Sequence, residues 1–336
     1  MKNKRYSCWL ALYVLSTGFL FAQKPVEGKA TQLRTSLEPY FVAVEKNESF
    51  IKSNKEKIAL GKRLFFDKQL SLGKGVSCND CHDLQKYGTN GTYYLNQKNK
   101  ENFYRDVPSV YNNLSYELFN VDGGVSNYAK KIQQAFTSQH EMGSNEDEIV
   151  TYLKESKVYK KEFKKAFPKQ SKAILFKNVL EVMQKFMSEL KTPAPIDAFI
   201  TGDTNALTPI QIEGGILFVN RACYSCHTGS NFGGQMINKL GVEVPWPNQK
   251  DLGFYHLKKQ VAYKMFFRVA PLRNVEKTAP YFHDATVVLL DKAIKLMGIH
   301  ERGIQLKVVE IAKIKEFLKS FTGEIPKEYI KMNKSK

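Results

Sequence analysis

A five-residue pattern, Cys-x-x-Cys-His, occurs twice in this chain and constrains its structure more than any other feature. The two copies are residues 78–82 and 223–227. In this pattern each thiol adds to one vinyl group of a porphyrin, and the adjacent imidazole becomes an axial ligand of the iron. The residues that the two copies assign to these roles are Cys78, Cys81, His82, Cys223, Cys226 and His227.

Other chemistry also uses the Cys-x-x-Cys spacing, since a single pair fits half of a zinc site or a redox-active dithiol. A zinc site needs two further ligands, and a histidine next to its own cysteine is poorly placed to complete the same tetrahedron. Two complete copies therefore favour two covalently attached c-type haems, with His82 and His227 as iron ligands.

Residues 1–22 have the composition of a secretory signal peptide. Lys2, Lys4 and Arg5 precede an apolar run that ends near Ala22, where we expect cleavage. The run is too short to cross a bilayer comfortably, and no later segment is apolar enough, so stable membrane insertion is not expected. Because c-type haem is attached outside the cytoplasm, the periplasm is the simplest location.

The cysteine count and the net charge limit which covalent cross-links and which binding partners the chain can have. Of the five cysteines, Cys8 lies in the leader and the other four belong to the motifs, so none is left for a disulfide. The formal net charge of +18 would suit nucleic acid, but export argues against that partner. Neutralisation of haem propionates and attraction of an acidic redox partner are functional interpretations, and a generally lysine-rich composition explains the charge equally well.

Helical periodicity and capping signals predict a mainly α fold. Each haem motif follows a predicted helix, as though one module had been used twice, so we expect two cytochrome-c-like domains that each carry one covalently attached haem. No segment alternates in the manner of a sheet. The predicted helices lie at about 55–67, from 144 onward, at 173–190, from Thr208-Pro209 to Cys223, and at 287–298 and 307–321.

The length of 336 residues suits two domains of ordinary size. Pro193 and Pro195 break a predicted helix and mark the preferred boundary. The predicted organisation is a signal peptide at 1–22, an N-terminal extension at 23–54, a first haem domain at 55–195 and a second haem domain at 196–336.

Segments outside the two haem motifs resemble those of the bacterial diheme cytochrome c peroxidases, a family that includes the enzymes that mature methylamine dehydrogenase. The likeness runs from about residue 55 to 325, and its segments are 60–67 with Leu70-Ser71, Glu141-Met142, 271–275 and 278–283. It implies an exported peroxidase that reduces hydrogen peroxide to water. Its electrons would come from a small cytochrome c or from a cupredoxin, a blue copper protein.

The resemblance also implies roles for particular residues. In the family, peroxide reacts at the first haem and the second haem passes electrons to it, so 55–195 becomes the peroxidatic domain and 196–336 the electron-transfer domain. His82 is then the proximal ligand of the reactive haem, and Glu141 is the catalytic acid–base on its open side. Met297 is the second axial ligand opposite His227, where a thioether raises the potential.

A calcium ion and a homodimer are further implications of the resemblance. Asp106, with the backbone oxygens of Thr278 and Pro280, falls where family members bind calcium between the domains, and oxygen ligands suit that ion. His283 belongs to the family signature and holds the region between the haems. We expect the other histidines, His140, His256 and His300, to be solvent-exposed or satisfied polar residues.

Three positions depart from the family pattern. Lys98 stands where a histidine often ligates the resting haem, Val121 replaces a tryptophan, and Lys131 replaces a distal glutamine. Because a lysine ligates iron only after losing its proton, we expect the first haem to rest on His82 alone. Two other hypotheses stay open: a diheme enzyme that oxidises another protein through high-valent haem, and a non-catalytic diheme electron-transfer cytochrome.

Overall fold

A computed structural model of the chain describes residues 20–91 and 105–330. Residues 1–19 of the expected leader and Lys98 lie outside the described residues. Within the described ranges, no helix combines the length and the apolar character that a bilayer crossing requires.

The described chain is mainly helical, which confirms the expectation of a mainly α fold. Its α-helices are α1 (Leu20–Leu37), α2 (Glu48–Ser53), α3 (Lys55–Phe65), α4 (Cys78–Cys81), α5 (Tyr128–Thr137), α6 (Glu146–Glu155), α7 (Lys157–Ala166), α8 (Phe176–Met187), α9 (Pro195–Ile200), α10 (Pro209–Asn220), α11 (Tyr255–Lys258), α12 (Leu290–Arg302) and α13 (Val308–Lys319). Two short strands, β1 (Ile237–Lys239) and β2 (Phe266–Arg268), form an antiparallel pair. The sequence indicated only loops in that region.

Side-chain caps fix where the helices begin. The Asn145 side chain accepts a hydrogen bond from the Glu148 amide and starts α6. Thr208 does the same for the Gln211 amide at the start of α10, where Pro209 occupies the first turn. Both starts agree with the sequence prediction.

A glycine allows close helix packing in each half of the molecule. On α3, a Cβ at Gly61 would meet the Val182 carbonyl of α8, and on α10 a Cβ at Gly214 would meet the Lys313 carbonyl of α13. In both halves, therefore, the helix that precedes the haem motif packs tightly against a later helix of the same half. Because glycine has no side chain, the backbones of the two helices in each pair can approach closely, and both halves of the molecule use this arrangement.

The buried apolar side chains form two large cores, and the chain passes from one to the other between Leu190 and Ala194. The segment expected to be an extension is partly helical. Ala30, Leu33 and Leu37 of α1, together with Phe41, are buried in the second core, which is otherwise built from residues 194–321. At the other end, Tyr329 packs against the first core. Each core is thus completed by a segment from the opposite end of the chain.

Candidate functional site

The first Cys-x-x-Cys-His motif folds into the single helical turn α4. The Asp80 carboxylate accepts hydrogen bonds from the Ser77 amide (2.8 Å) and hydroxyl, which caps the turn. The His82 amide donates to the Cys78 carbonyl (2.8 Å), so the imidazole follows directly after the turn. A cavity of about 330 Å³, called here the N-terminal cavity, opens beside it. Its polar and sulfur-bearing lining includes Cys78, Cys81, His82, Lys131, Glu141 and Met142.

The His82 ring is held in the form that can bind a metal. Its Nδ1 lies 3.3 Å from the Gly88 carbonyl oxygen, which can only accept, so Nδ1 carries the proton and Nε2 keeps its lone pair. Burial, with a contribution from Lys131, lowers the pKa of His82 to about 4. The imidazole is therefore neutral at ordinary pH, as an iron ligand must be.

The two thiols of this motif are poor candidates for a zinc site. Burial raises the pKa of Cys78 to about 12 and also raises the pKa of Cys81, so without a metal both thiols are neutral. Across residues 20–91 and 105–330, no group of three or more His, Cys, Asp or Glu side chains is arranged to hold a metal ion. Neutral thiols beside a neutral imidazole suit thioether attachment of a haem, and the zinc alternative loses its support.

The structure brings Glu141 to the same cavity as His82. Glu141 lies in the turn after α5, where its amide donates to the Ser138 carbonyl (2.9 Å). Lys131 Nζ is 2.9 and 3.3 Å from the two carboxylate oxygens of Glu141. The two side chains are 25% and 31% exposed, so the ion pair lies at the mouth of the cavity rather than in its interior. A cation thus occupies the position where the family pattern has a glutamine.

The second motif lines a larger cavity of about 550 Å³, called here the C-terminal cavity. His227 Nδ1 lies 3.1 Å from the Phe232 carbonyl oxygen and 3.0 Å from that of Ala270, so this ring also turns Nε2 away from the backbone. Burial lowers the pKa of His227. Met297 of α12 lines the same cavity, together with Cys223 and Cys226. All four residues that the sequence assigned to the second haem are therefore brought together.

The C-terminal cavity also contains a histidine whose ring nitrogens have no hydrogen-bond partner among the described residues. His283 is 7% exposed and stacks on Phe267 with 4.2 Å between ring centroids. Both of its ring nitrogens are buried without a hydrogen bond to any described residue. By contrast, His256 Nε2 accepts from the Leu252 amide (3.0 Å) and His300 Nδ1 bonds the Val244 carbonyl (2.8 Å), as expected. Because buried polar atoms normally have partners, His283 indicates that this cavity holds a polar group.

The three residues of the expected calcium site, Asp106, Thr278 and Pro280, line the C-terminal cavity together. The Asp106 carboxylate accepts a hydrogen bond from the Val107 amide (2.8 Å), and burial raises the pKa of Asp106 to about 7. Among the described residues it forms no salt bridge. A bound cation would favour its ionised form, and oxygen donors are the kind that a hard ion such as calcium prefers.

One layer of residues, called here the shared wall, separates the two cavities and lines both. Its members are Asp106, Val107, Pro108, Ser109, Tyr116, Val121 and Arg268. Val121, where the family pattern has a tryptophan, is therefore in the wall. Sequence reasoning missed Tyr116 and Arg268. No motif marks either residue, and β2, which carries Arg268, was expected to be loop.

Comparisons with known proteins identify relatives of this chain. A family model described as di-haem cytochrome c peroxidase matches residues 55–205. Cytochrome c551 peroxidase of Pseudomonas aeruginosa is 32% identical, over 80% of this chain and 79% of that protein. The protein of the same name from Nitrosomonas europaea is 30% identical, over 94% and 92%. The methylamine utilization protein MauG of Methylophilus methylotrophus is 28% identical, over 71% of each chain.

Solved structures share the fold. A MauG-like protein associated with microbial copper homeostasis superimposes with a TM-score of 0.72 at 23% identity, over 83% of this chain and 94% of that one. The diheme peroxidase BthA from Burkholderia thailandensis gives 0.63 at 17% identity, over 87% and 93%. At these identities the likeness shows the fold alone.

Two cavities that each contain one Cys-x-x-Cys-His motif, in a mainly helical fold shared with diheme proteins, indicate a two-haem protein of the cytochrome c class. The chain belongs to the di-haem cytochrome c peroxidase family. Membership confirms the resemblance noted from the sequence, and it implies two haem cofactors and a peroxidase type of oxidoreductase.

Proposed function

We propose that this chain is an exported diheme peroxidase that reduces hydrogen peroxide with electrons from a small redox protein. One peroxide, two electrons and two protons give two waters. The observation that carries the proposal is the N-terminal cavity, where a Cys-x-x-Cys-His motif and the Glu141 carboxylate line one space. A plain electron-transfer cytochrome has no need of an acid–base group beside an open iron position.

In the N-terminal cavity, Cys78 and Cys81 would attach the haem and His82 would ligate its iron. When bound, the haem supplies an iron that takes up peroxide and electrons. Glu141 moves a proton from one peroxide oxygen to the other, so that the departing oxygen leaves as water. Lys131 holds the Glu141 carboxylate through hydrogen bonds to both of its oxygens.

In the C-terminal cavity, Cys223 and Cys226 would attach the second haem, and His227 and Met297 would ligate its iron. Hydrogen bonds from His227 Nδ1 to two backbone carbonyls fix the ring and support this role. A thioether ligand favours the ferrous state, which suits a haem that accepts electrons from a donor. The donor would be a small cytochrome c or a cupredoxin, attracted by the basic surface.

The proposal also includes a bound calcium ion, a homodimeric state and a periplasmic location. Asp106 with the carbonyls of Thr278 and Pro280 would bind calcium at the edge of the shared wall, which would link the two halves of the molecule. The protein would act as a homodimer in the periplasm after cleavage near Ala22. The first haem would rest on His82 alone, without a second protein ligand.

The test compares Glu141→Gln with Glu148→Gln. Glu148 is an exposed acid on α6 that lines neither cavity, so its substitution controls for a general loss of charge. With a reduced small cytochrome c as donor, Glu141→Gln should lower peroxide turnover by about 10²–10⁴-fold. Glu148→Gln should leave turnover within about twofold of the parent.

Both variants should retain two reducible haems. Turnover by Glu141→Gln equal to that of Glu148→Gln would rule out Glu141 as the acid–base. If the parent holoprotein reduces no peroxide but oxidises another protein, the alternative enzyme hypothesis is favoured.

A further inference from the structure

Arg268 is a buried cation in the shared wall, and none of the described residues compensates its charge. The residue is 8% exposed and lines both cavities. Its Nε donates to the Asn120 carbonyl (3.0 Å), and its amide donates to the Val121 carbonyl (2.8 Å). Nη1 is buried and has no hydrogen-bond partner among the residues that the structure describes.

Two other arginines of this protein, the half-buried Arg105 and the buried Arg273, show what Arg268 lacks. Arg105 donates to the carboxylates of Asp122 and Asp251. Arg273 forms a two-point pair with Asp197, with side chains that are 2% and 8% exposed. No carboxylate of the described ranges forms such a pair with Arg268. An isolated buried charge costs several kcal/mol, and a guanidinium cannot escape that cost by losing its proton.

Tyr116 holds the guanidinium in this position. The Arg268 Cζ atom lies 4.6 Å from the centre of the Tyr116 ring, which also lines both cavities. Such a contact attracts the cation but supplies no net negative charge. The guanidinium is therefore oriented, and within the described ranges it retains an unpaired N–H and has no counter-ion.

We propose that Arg268 binds a haem propionate at the shared wall, with Nη1 as the hydrogen-bond donor to the carboxylate. Propionates are the only anionic groups that a haem brings into these cavities, and a planar guanidinium recognises carboxylates well. The inference rests on the proposed pair of haems. Beyond the proposed function, it assigns Arg268 the role of neutralising a propionate of the cofactor, at a position that lines both cavities.

Removal of this cation should lower a haem potential. A propionate that loses its counter-ion leaves a net negative charge near the iron, which stabilises the ferric state relative to the ferrous state. In Arg268→Gln, we expect the equilibrium constant for reduction of at least one haem to fall by tenfold or more, which is a shift of at least 59 mV for one electron. Arg268→Lys keeps the positive charge but loses the planar pair of guanidinium donors, so the shift in haem potential should be smaller.

Lys264→Gln is the matched control. Lys264 is exposed, lies two residues before β2 and lines neither cavity, so this variant removes the same charge from the same segment. Solvent screening should keep its effect on both potentials within about twofold in the equilibrium constant.

The experiment is a spectroscopic redox titration of the holoproteins, together with resonance Raman spectra of the propionate bending bands. Arg268→Gln should shift both the potential and a propionate band, and a shift in one haem alone identifies whose propionate is bound. Potentials and bands that equal those of Lys264→Gln would overturn the proposal. Titration of the parent with chloride and with phosphate tests whether Arg268 binds a free anion instead of a propionate. A free anion at Arg268 would make the haem potential depend on which salt is present, and that dependence would overturn the proposal.

Haem content is measured in the same samples. Parent protein without two haems contradicts the proposed function, whereas two haems with unchanged potentials in Arg268→Gln contradict the Arg268 assignment alone. If Arg268→Gln fails to retain haem, the Raman bands and potentials of Arg268→Lys decide the assignment: unchanged values overturn it.

Discussion

The Asp197 carboxylate joins three separate parts of the chain, and its removal should destabilise the second core strongly. It accepts hydrogen bonds from the Val44 amide (2.8 Å) and the Ala194 amide (2.7 Å). Arg273 donates to both of its oxygens, with Nη1 at 2.9 Å from Oδ2. The N-terminal segment, the link between the cores and a residue that lines the C-terminal cavity therefore meet at one buried group.

The magnitude follows from this burial. Removal of one partner from a buried ion pair costs about 3–5 kcal/mol, because the other charge is left buried and unpaired. Two backbone amides would also lose their acceptor, although entry of water would offset part of that loss. We therefore expect Asp197→Ala to lower the free energy of unfolding by about 3–5 kcal/mol.

Glu310→Ala is the control for this variant. Glu310 pairs with Arg221 at 2.6 Å, but the two side chains are 15% and 39% exposed, so the pair lies at the surface. Its carboxylate also accepts from the Lys307 amide at the start of α13. Loss of a surface ion pair and of one capping bond should cost about 1 kcal/mol.

The assay is guanidinium unfolding of the holoproteins followed by far-ultraviolet circular dichroism, combined with native-state hydrogen exchange. In Asp197→Ala the amides of Val44 and Ala194 should exchange much faster than in the parent, since both donate to the deleted carboxylate. A loss of stability no larger than that of Glu310→Ala, with unchanged exchange at these amides, would refute the reasoning.

Three further predictions concern the cofactors. Acid–acetone extraction should leave two haems covalently bound per chain, and mass spectrometry of the denatured protein checks this; release of haem into the solvent would contradict it. Met297→His should lower the potential of one haem and leave the other within experimental error, because only the second iron loses a thioether; a redox titration with two unchanged potentials would show that another group ligates that iron. Chelation of calcium, or the substitution Asp106→Asn, should weaken the coupling between the halves and lower the thermal midpoint, and equal midpoints with and without added calcium would remove the calcium site from the account.

Most of the local structure was predictable because it depends on short-range physics. The caps at Asn145 and Thr208 and the two haem motifs are each complete within a few residues, and the structure has helices where those signals predict them. Helix ends were less accurate: α13 ends at Lys319, whereas the predicted helix continued to residue 321, two residues before Gly323. The glycine packs against the Thr192 and Pro193 carbonyls, a long-range contact with no local sequence signal.

The parts that the sequence could not predict depend on contacts between distant segments. Leu33 and Leu37 were assigned to a polar extension, but they complete the second core. Amphipathic spacing shows that one face of a helix is apolar, but it does not show which part of the protein that face packs against. The shared wall combines residues 106–109, Tyr116 and Arg268, which have no common motif. The convergence of Glu141 on the cavity of His82 was implied only by resemblance, since an acid in a turn is usually an ordinary surface residue.

The central claim is that this chain couples oxidation of a redox protein to reduction of peroxide. The most direct test is an anaerobic stoichiometric titration, in which reduced small cytochrome c, catalytic holoprotein and known amounts of hydrogen peroxide are mixed. The account predicts two donor molecules oxidised for each peroxide consumed, with no oxidation when peroxide or holoprotein is omitted. Holoprotein whose two haems are reduced by the donor, but which oxidises none of it when peroxide is added, would contradict the account and identify a non-catalytic electron-transfer cytochrome.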